Sequence, residues 1–387
     1  MRTLLVGPGA IGGTVAVFAA ETGFDFDVLG RPEEAEFLAK NDFVLTGCKG
    51  EHRAHLRVFG NIDELAAEYD CVLIATKAQA MPHVARALLP KLRKDSLALG
   101  LQNGITTEMM SEVVGENRTV SCMIGIGATA RGIGKAEMTS GGHFIIGRQR
   151  LQENVPKIDS TKGSQLGSTT HDELSSSRQR PQENVPEIDG TTHNELNRRR
   201  PQECVDAKLE YLRSFVNACQ PAAISENILG DLYSKLVFNA CVNALCALSG
   251  MTLGVLLDDK KARRTFLSIA REGMAVAGAI GLDVPPFMKV LDYNLLVKHQ
   301  GKLADALFGK LFQIIGKVRI GKVHPSTLQS LERGEITEID YLNGYFVKRG
   351  DEANVHCPIN TQIIRMIHEI ERGERNMGLA NITEIVL

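Results

Sequence analysis

The stretch Ser234-Lys235-Leu236-Val237-Phe238-Asn239-Ala240-Cys241-Val242-Asn243-Ala244-Leu245 sets one lysine and two asparagines among apolar neighbours. Lys235, Asn239 and Asn243 fall at i, i+4 and i+8, so on a helix they form a single polar stripe. The apolar remainder predicts a helix buried on most sides. Buried polar groups need partners, and this stripe invites a polar ligand. Desolvation also lowers a lysine's pKa toward the range in which it can donate a proton. A lysine at a domain surface beside locally bonded asparagines is the competing reading of the same pattern. A second group is Ser326 with Thr337-Glu338-Ile339-Asp340-Tyr341-Leu342-Asn343-Gly344. Thr337 and Asp340 have the spacing of a capping box. Glu338 is then left over in an otherwise apolar helix, able to face the same cleft as Lys235.

Near the N-terminus, Gly7-Pro8-Gly9-Ala10-Ile11-Gly12 is a G-x-G-x-x-G sequence between a predicted strand and a predicted helix, the context of a dinucleotide site. Gly7 makes the tight turn, Gly9 lets backbone approach a pyrophosphate, and Gly12 lets helix and strand pack closely. Pro8, Ala10 and Ile11 complete the loop, and the helix N-terminus faces the anion. The end of the second strand chooses between the two nicotinamide dinucleotides. An NAD site usually carries a carboxylate there. Here Phe26-Asp27-Val28-Leu29 runs into Gly30-Arg31, with Asp27 inside the strand and no acid at its tip. Arg31 can pair with a 2′-phosphate, so NADPH is the expected cofactor. Lys77 and Asn103 follow the apolar runs 72–75 and 97–101, at the strand ends where open α/β sheets bind ligands.

These residues need a scaffold, and the chain supplies two. At 387 residues it is long enough for two domains with a core in each. Residues 1–147 alternate strand-like and helix-like segments: strands at 3–6, 26–29, 72–75, 97–101 and 120–126, and helices at 10–22, 79–92 and 104–114. That alternation predicts a parallel sheet of Rossmann type. From 205 to 387 the pattern is all-helical, with segments at 205–219, 226–249, 259–281, 286–298, 302–316, 325–333, 337–348 and 360–373, and Gly250 and Gly281 as stops. Between them, 148–204 is polar and repetitive: Gln152–Pro156 recurs at Gln182–Pro186, and Thr169–Leu174 returns nearly unchanged at Thr191–Leu196. These units carry too few apolar residues to stack, so a disordered insertion is expected.

A net charge of −2 gives no reason to expect a nucleic-acid partner, and with no Trp and 5% aromatics a base-stacking platform is not expected. The eight cysteines include no C-x-x-C pair, which predicts reduced thiols and no metal site. No signal-peptide pattern follows Arg2 and no run of about 18 apolar residues is present, so a cytoplasmic protein without a membrane partner is expected. The oligomeric state stays open, a homodimer being one arrangement.

The segments GPGAIGG at 7–13, QNG at 102–104, KLVFNACVNAL at 235–245 and TEIDYLNGY at 337–345 occur in the order and context of the ketopantoate reductase (2-dehydropantoate 2-reductase) family, which the chain resembles over about 1–147 and 205–375. The resemblance implies a Rossmann domain followed by a helical domain like that of 6-phosphogluconate dehydrogenase, with NADPH as hydride donor and a small 2-oxo acid as substrate. It implies Lys235 as general acid, Glu338 holding a substrate hydroxyl and helping to position Lys235, Asn239 and Asn243 binding substrate, and Ser326 near its carboxylate. Asn103 would lie beside the nicotinamide, with Lys77 and Arg31 near the cofactor. Leu253-Gly254, Ala80 and Pro325-Ser326-Thr327 depart from the family's pattern at groups that help choose the substrate. A reductase of another 2-oxo acid or of an opine-like imine, and a nonenzymatic NADP-binding regulator, are the alternative readings.

Overall fold

The computed structural model describes residues 1–65, 68–148, 205–287, 290–315 and 325–387. Eight strands form one sheet in the order Ala222–Ile224, Phe144–Gly147, Thr119–Ile124, Leu92–Gly100, Tyr69–Ile74, Thr3–Val6, Asp27–Leu29 and Val58–Phe59. The six strands from Val58–Phe59 to Thr119–Ile124 are all parallel. Their order reverses between Thr3–Val6 and Tyr69–Ile74, and the crevice outside the carboxyl ends there is where such sheets bind ligands. Phe144–Gly147 runs antiparallel to Thr119–Ile124, with Phe144 opposite Ile124 and Gly147 opposite Ser121.

A second sheet of four strands, His52–Ala54, Phe43–Gly47, Lys135–Ser140 and Gly127–Gly132, was not expected from the sequence. It explains the composition of the first helix, Ala10–Glu21, which is apolar on nearly every side. That helix lies between the two sheets and has no wet face to be polar on. A Cβ on Gly13 would come within 2.1 Å of the Phe43 ring, so glycine there is a requirement of the packing.

The helical domain is organised around Ile228–Ser249. Asn227 caps it, its side chain accepting from Gly230 N at 3.1 Å, and Gly250 ends it in the left-handed region at φ 69°. Lys260–Ala279, Ser326–Glu332, Ile339–Glu352, Pro358–Glu371 and Leu379–Glu384 all pack on it. By length and hydropathy this helix could cross a membrane, but 83% of its most apolar window is buried inside the fold, as befits a core helix.

Several expectations are corrected. The helical domain does not begin at 205. A helix over 205–217 packs Leu212, Phe215 and Val216 into the core of the first domain, Tyr211 hydrogen-bonds Thr3 at 2.9 Å, and Ala222–Ile224 completes the large sheet. An amphipathic helix does not encode which domain it packs on. Of the described residues within the expected 286–298 helix, Asn294–Lys298 are helical; Pro285-Pro286 precede them, and Phe287 bridges to Leu291. Thr337 and Asp340 form no capping box: Thr337 N is bound by Glu371 at 2.8 Å, while Asp340 accepts from His368 at 3.1 Å. Apart from Arg148, the polar segment 148–204 lies outside the described residues.

Candidate active site

One large cleft runs from the carboxyl edge of the sheet across to the helical domain. Gly7, Gly9, Ala10, Ile11, Arg31, Lys77, Asn103, Lys235, Asn239, Asn243, Ser326 and Glu338 all line it. Of the residues expected to bind cofactor or substrate or to catalyse, Pro8 and Gly12 do not. Pro8 is buried against Gly30, and Gly12 lies under the turn, where a Cβ would meet Gly7 O at 2.1 Å.

The glycine turn has the shape its sequence requires. Gly7 sits at φ 88°, with Ala75 and Thr76 backbone 3.2 Å from where a Cβ would stand. Nothing lies within 4 Å of a Cβ built on Gly9, so the chain is open to an incoming group at that point. The helix behind it begins with no side-chain cap, leaving its first N–H groups directed at the cleft. Thr76 Oγ1 is buried there with no hydrogen-bond partner among the described residues. An uncapped helix end, an open glycine and an orphaned hydroxyl fit the pyrophosphate and ribose of a dinucleotide.

Arg31 stands at the tip of the second strand, but not alone. Its guanidinium is 3.1 Å from Glu33 and 2.9 Å from Glu34, and Glu34 also accepts from Arg31 N at 2.8 Å. The carboxylate missing from the strand tip is thus supplied by the third residue of the following helix, Pro32–Leu38. Asp27 is turned away, accepting from Arg57 at 2.5 Å and from Tyr69 at 2.7 Å.

On the other wall, the helix Ile228–Ser249 presents Asp231, Ser234, Lys235, Phe238, Asn239, Val242 and Asn243 to the cleft, one face at helical spacing. Lys235 reaches across to the first domain. Its ammonium donates to Asn103 Oδ1 at 2.9 Å and to the carbonyl of Ile124, at the end of strand Thr119–Ile124. Two of its three protons are thereby held, leaving one for a ligand. Burial lowers its pKa to about 8, against the opposing pull of the Glu338 carboxylate. The Cys122 thiol, itself pushed up to about 12 by burial, stays neutral across that range.

Glu338 lines the same cleft but does not touch Lys235. One of its oxygens accepts from Ala78 N at 3.1 Å. Burial raises its pKa above the usual carboxylate value, with that N–H and the charges of Lys77 and Lys235 pulling the other way. Asn243 is turned to the protein as much as to the cleft: it donates to Asn239 O at 3.0 Å and accepts from Ser326 Oγ at 3.3 Å and Thr327 N at 3.2 Å, anchoring the start of helix Ser326–Glu332. The Asn239 amide, by contrast, has no hydrogen bond among the described residues. Lys77 pairs with Glu335 at 2.9 Å across the cleft mouth. Sequence reasoning missed the Ile124 carbonyl, which carries no side-chain signal, and Phe238, whose i+3 spacing from Lys235 marks it for the same face.

This arrangement can hold a dinucleotide along the sheet edge and bring a proton donor to a carbonyl beside it. Solved structures share the fold over nearly the whole chain. That of a PanE/ApbA family ketopantoate reductase from Ralstonia eutropha JMP134 is 20% identical, with a TM-score of 0.69, covering 97% of this chain and all of that one. That of D-mandelate dehydrogenase with NADH and anilino(oxo)acetate is 18% identical, with a TM-score of 0.69 over 96% of this chain and 99% of that one. Among curated proteins, the 2-dehydropantoate 2-reductase of Pyrococcus horikoshii is 22% identical over 365 residues, covering 93% of this chain and 94% of its own. Residues 3–150 match the ketopantoate reductase PanE/ApbA family and residues 227–371 match its C-terminal domain, so the chain is an NADP-binding oxidoreductase that belongs to that family.

Proposed function

We propose that this protein reduces the keto group of a small 2-oxo acid to the 2-hydroxy acid with NADPH, ketopantoate to pantoate being the conversion that the names of its relatives suggest. At the level of the family, a 2-oxo-acid reductase using NADP(H) is established. The observation that carries the reading for this chain is Lys235, half-buried on the cleft wall, held by Asn103 and Ile124, with its pKa brought to about 8 in a cleft shared with the glycine turn. The nicotinamide, when bound, supplies the hydride. Charge then develops on the carbonyl oxygen, and Lys235 donates the proton that neutralises it. Asn103 fixes the ammonium by accepting from it and so belongs to both halves of the site. Glu338, with one oxygen committed to Ala78 N, keeps the other for a substrate hydroxyl. The Asn239 amide faces the substrate directly, and Ser326 stands near the substrate carboxylate. Along the sheet edge, Gly7, Gly9, Ala10, Ile11, Arg31 and Lys77 receive the cofactor. Arg31 must leave Glu34 to meet a 2′-phosphate. A cytoplasmic setting, where NADPH is abundant, belongs to the same proposal.

Loss of NADPH absorbance across a panel of 2-oxo acids that includes ketopantoate tests this reading. Turnover of at least one acid, abolished by boiling and retained in purified protein, is the expected result. A protein that binds NADPH yet reduces none of them would be a regulator and not a reductase.

A further inference from the structure

Proton donation uses Lys235, but the same helical face offers the cleft something else. Phe238 follows Lys235 by three residues, and its ring stacks on Phe287 with centroids 4.9 Å apart and planes 20° from parallel. Both rings are only partly buried and both line the cleft. Met123 and Ile145, paired across neighbouring strands, line it as well. Met123 directly precedes Ile124, whose carbonyl holds Lys235, so the apolar wall begins one residue from the anchor of the proton donor. Phe287 is held firmly: it follows Pro285-Pro286, and it exchanges hydrogen bonds with Leu291, N to O at 2.8 Å and O from N at 3.0 Å. Partly exposed rings beside a polar donor form contact surface for an apolar group.

We infer that this site takes 2-oxo acids bearing a large apolar group on the carbonyl carbon, and that aryl 2-oxo acids are among its substrates. The inference rests on the reductase reading above. A carbonyl oxygen at the Lys235 ammonium lies beside the carbonyl of Ile124 and so next to the wall that starts at Met123 and takes in Ile145, Phe238 and Phe287, a wall that a bulky substituent covers more fully than a methyl group. The two rings are stacked too closely to admit a third between them, so the substituent lies along their cleft-side rim. The chemistry is unchanged: hydride from NADPH adds to the carbonyl carbon, the proton from Lys235 goes to the oxygen, and NADP⁺ and the 2-hydroxy acid leave.

The test is a comparison of kcat/KM for phenylglyoxylate and pyruvate in the wild-type protein, Phe238→Ala and Phe238→Leu. Filling an apolar pocket discriminates by roughly 10- to 200-fold per well-placed group. The wild type is expected to prefer phenylglyoxylate by about 10-fold or more. Phe238→Ala should bring that ratio near one, and Phe238→Leu should fall between. NADPH binding and the melting temperature of each variant establish that it is folded. Reduction of pyruvate as good as or better than that of phenylglyoxylate, or a ratio that Phe238→Ala leaves in place, overturns the inference while leaving the reductase reading standing. Failure to reduce any 2-oxo acid, ketopantoate included, overturns both.

Discussion

Lys77 with Glu335, and Lys235 with Glu338, face the same cleft, and their surroundings assign them opposite duties. Lys77 and Glu335 meet at 2.9 Å with side chains 54% and 42% exposed. Water screens that pair, and Arg333 and Lys77 together hold Glu335 at about 2, so its carboxylate stays ionised at any ordinary pH. Lys235 and Glu338 make no such pair. Each is desolvated and bound to neutral groups, Lys235 to an amide and a carbonyl, Glu338 to a backbone N–H. Burial moves both toward their uncharged forms. Ion pairing fixes a proton in place, whereas burial with neutral partners makes it transferable. The first pair is built to latch, the second to react.

The comparison is sharpest at Lys235. Lys235→Ala should lower kcat by about 10²–10⁴, with the NADPH dissociation constant, read by fluorescence titration, little changed. Near wild-type turnover would mean that burial of this lysine has no catalytic meaning. Glu338→Ala should cost about 10- to 100-fold in kcat/KM, the scale of a lost hydrogen bond to a charged group, with more of it in KM for a hydroxyl-bearing substrate. Combined with Lys235→Ala the losses should be less than additive. The pH profile probes the same contrast. An acid must be protonated to donate, so the reduction rate should hold below about 8 and fall as pH rises through that value. Oxidation of the 2-hydroxy acid should rise over the same interval, and Lys77→Ala should leave the inflection where it is. An inflection that follows Lys77 would reverse the assignment.

Smaller effects belong to the exposed charges. Arg31→Ala should raise KM for NADPH by about 10-fold and leave NADH nearly unaffected, since only the 2′-phosphate contact is lost. Equal loss with both cofactors would argue against that placement. Smallest of all, Lys77→Ala should change kcat/KM about threefold or less, because an exposed ion pair contributes about 0–1 kcal/mol.

What could be read from the sequence follows the range of the interactions involved. The glycine turn was legible because its constraints are local: a positive φ at Gly7, an open approach at Gly9 and a close contact at Gly12 depend on residues a few positions apart. The Lys235 face was legible as a period. The four-stranded sheet was not, since Phe43–Gly47 and Lys135–Ser140 bury only alternate positions near their starts and pair across more than 80 residues. The pairing of Lys235 with Asn103 joins residues 132 apart, and Glu338 with Ala78 joins residues 260 apart. No spacing rule reaches that far. The carboxylate at Arg31 was within reach: Glu34 stands at the third position of a helix opened by Pro32, where acidic residues turn back to cap the first turn.

The reversed direction of Phe144–Gly147 has a bearing on where a fusion could be made. Because that strand runs against Thr119–Ile124, its last residue lies beside Ser121, and Arg148 donates to Asn117 O at 2.6 Å, just ahead of the neighbouring strand's start. Gly147 and Arg148 therefore stand at the rim of the sheet opposite the chemistry. For an engineer the same rim is a fusion port, a place to graft a reporter or a second enzyme with the reaction chamber left alone.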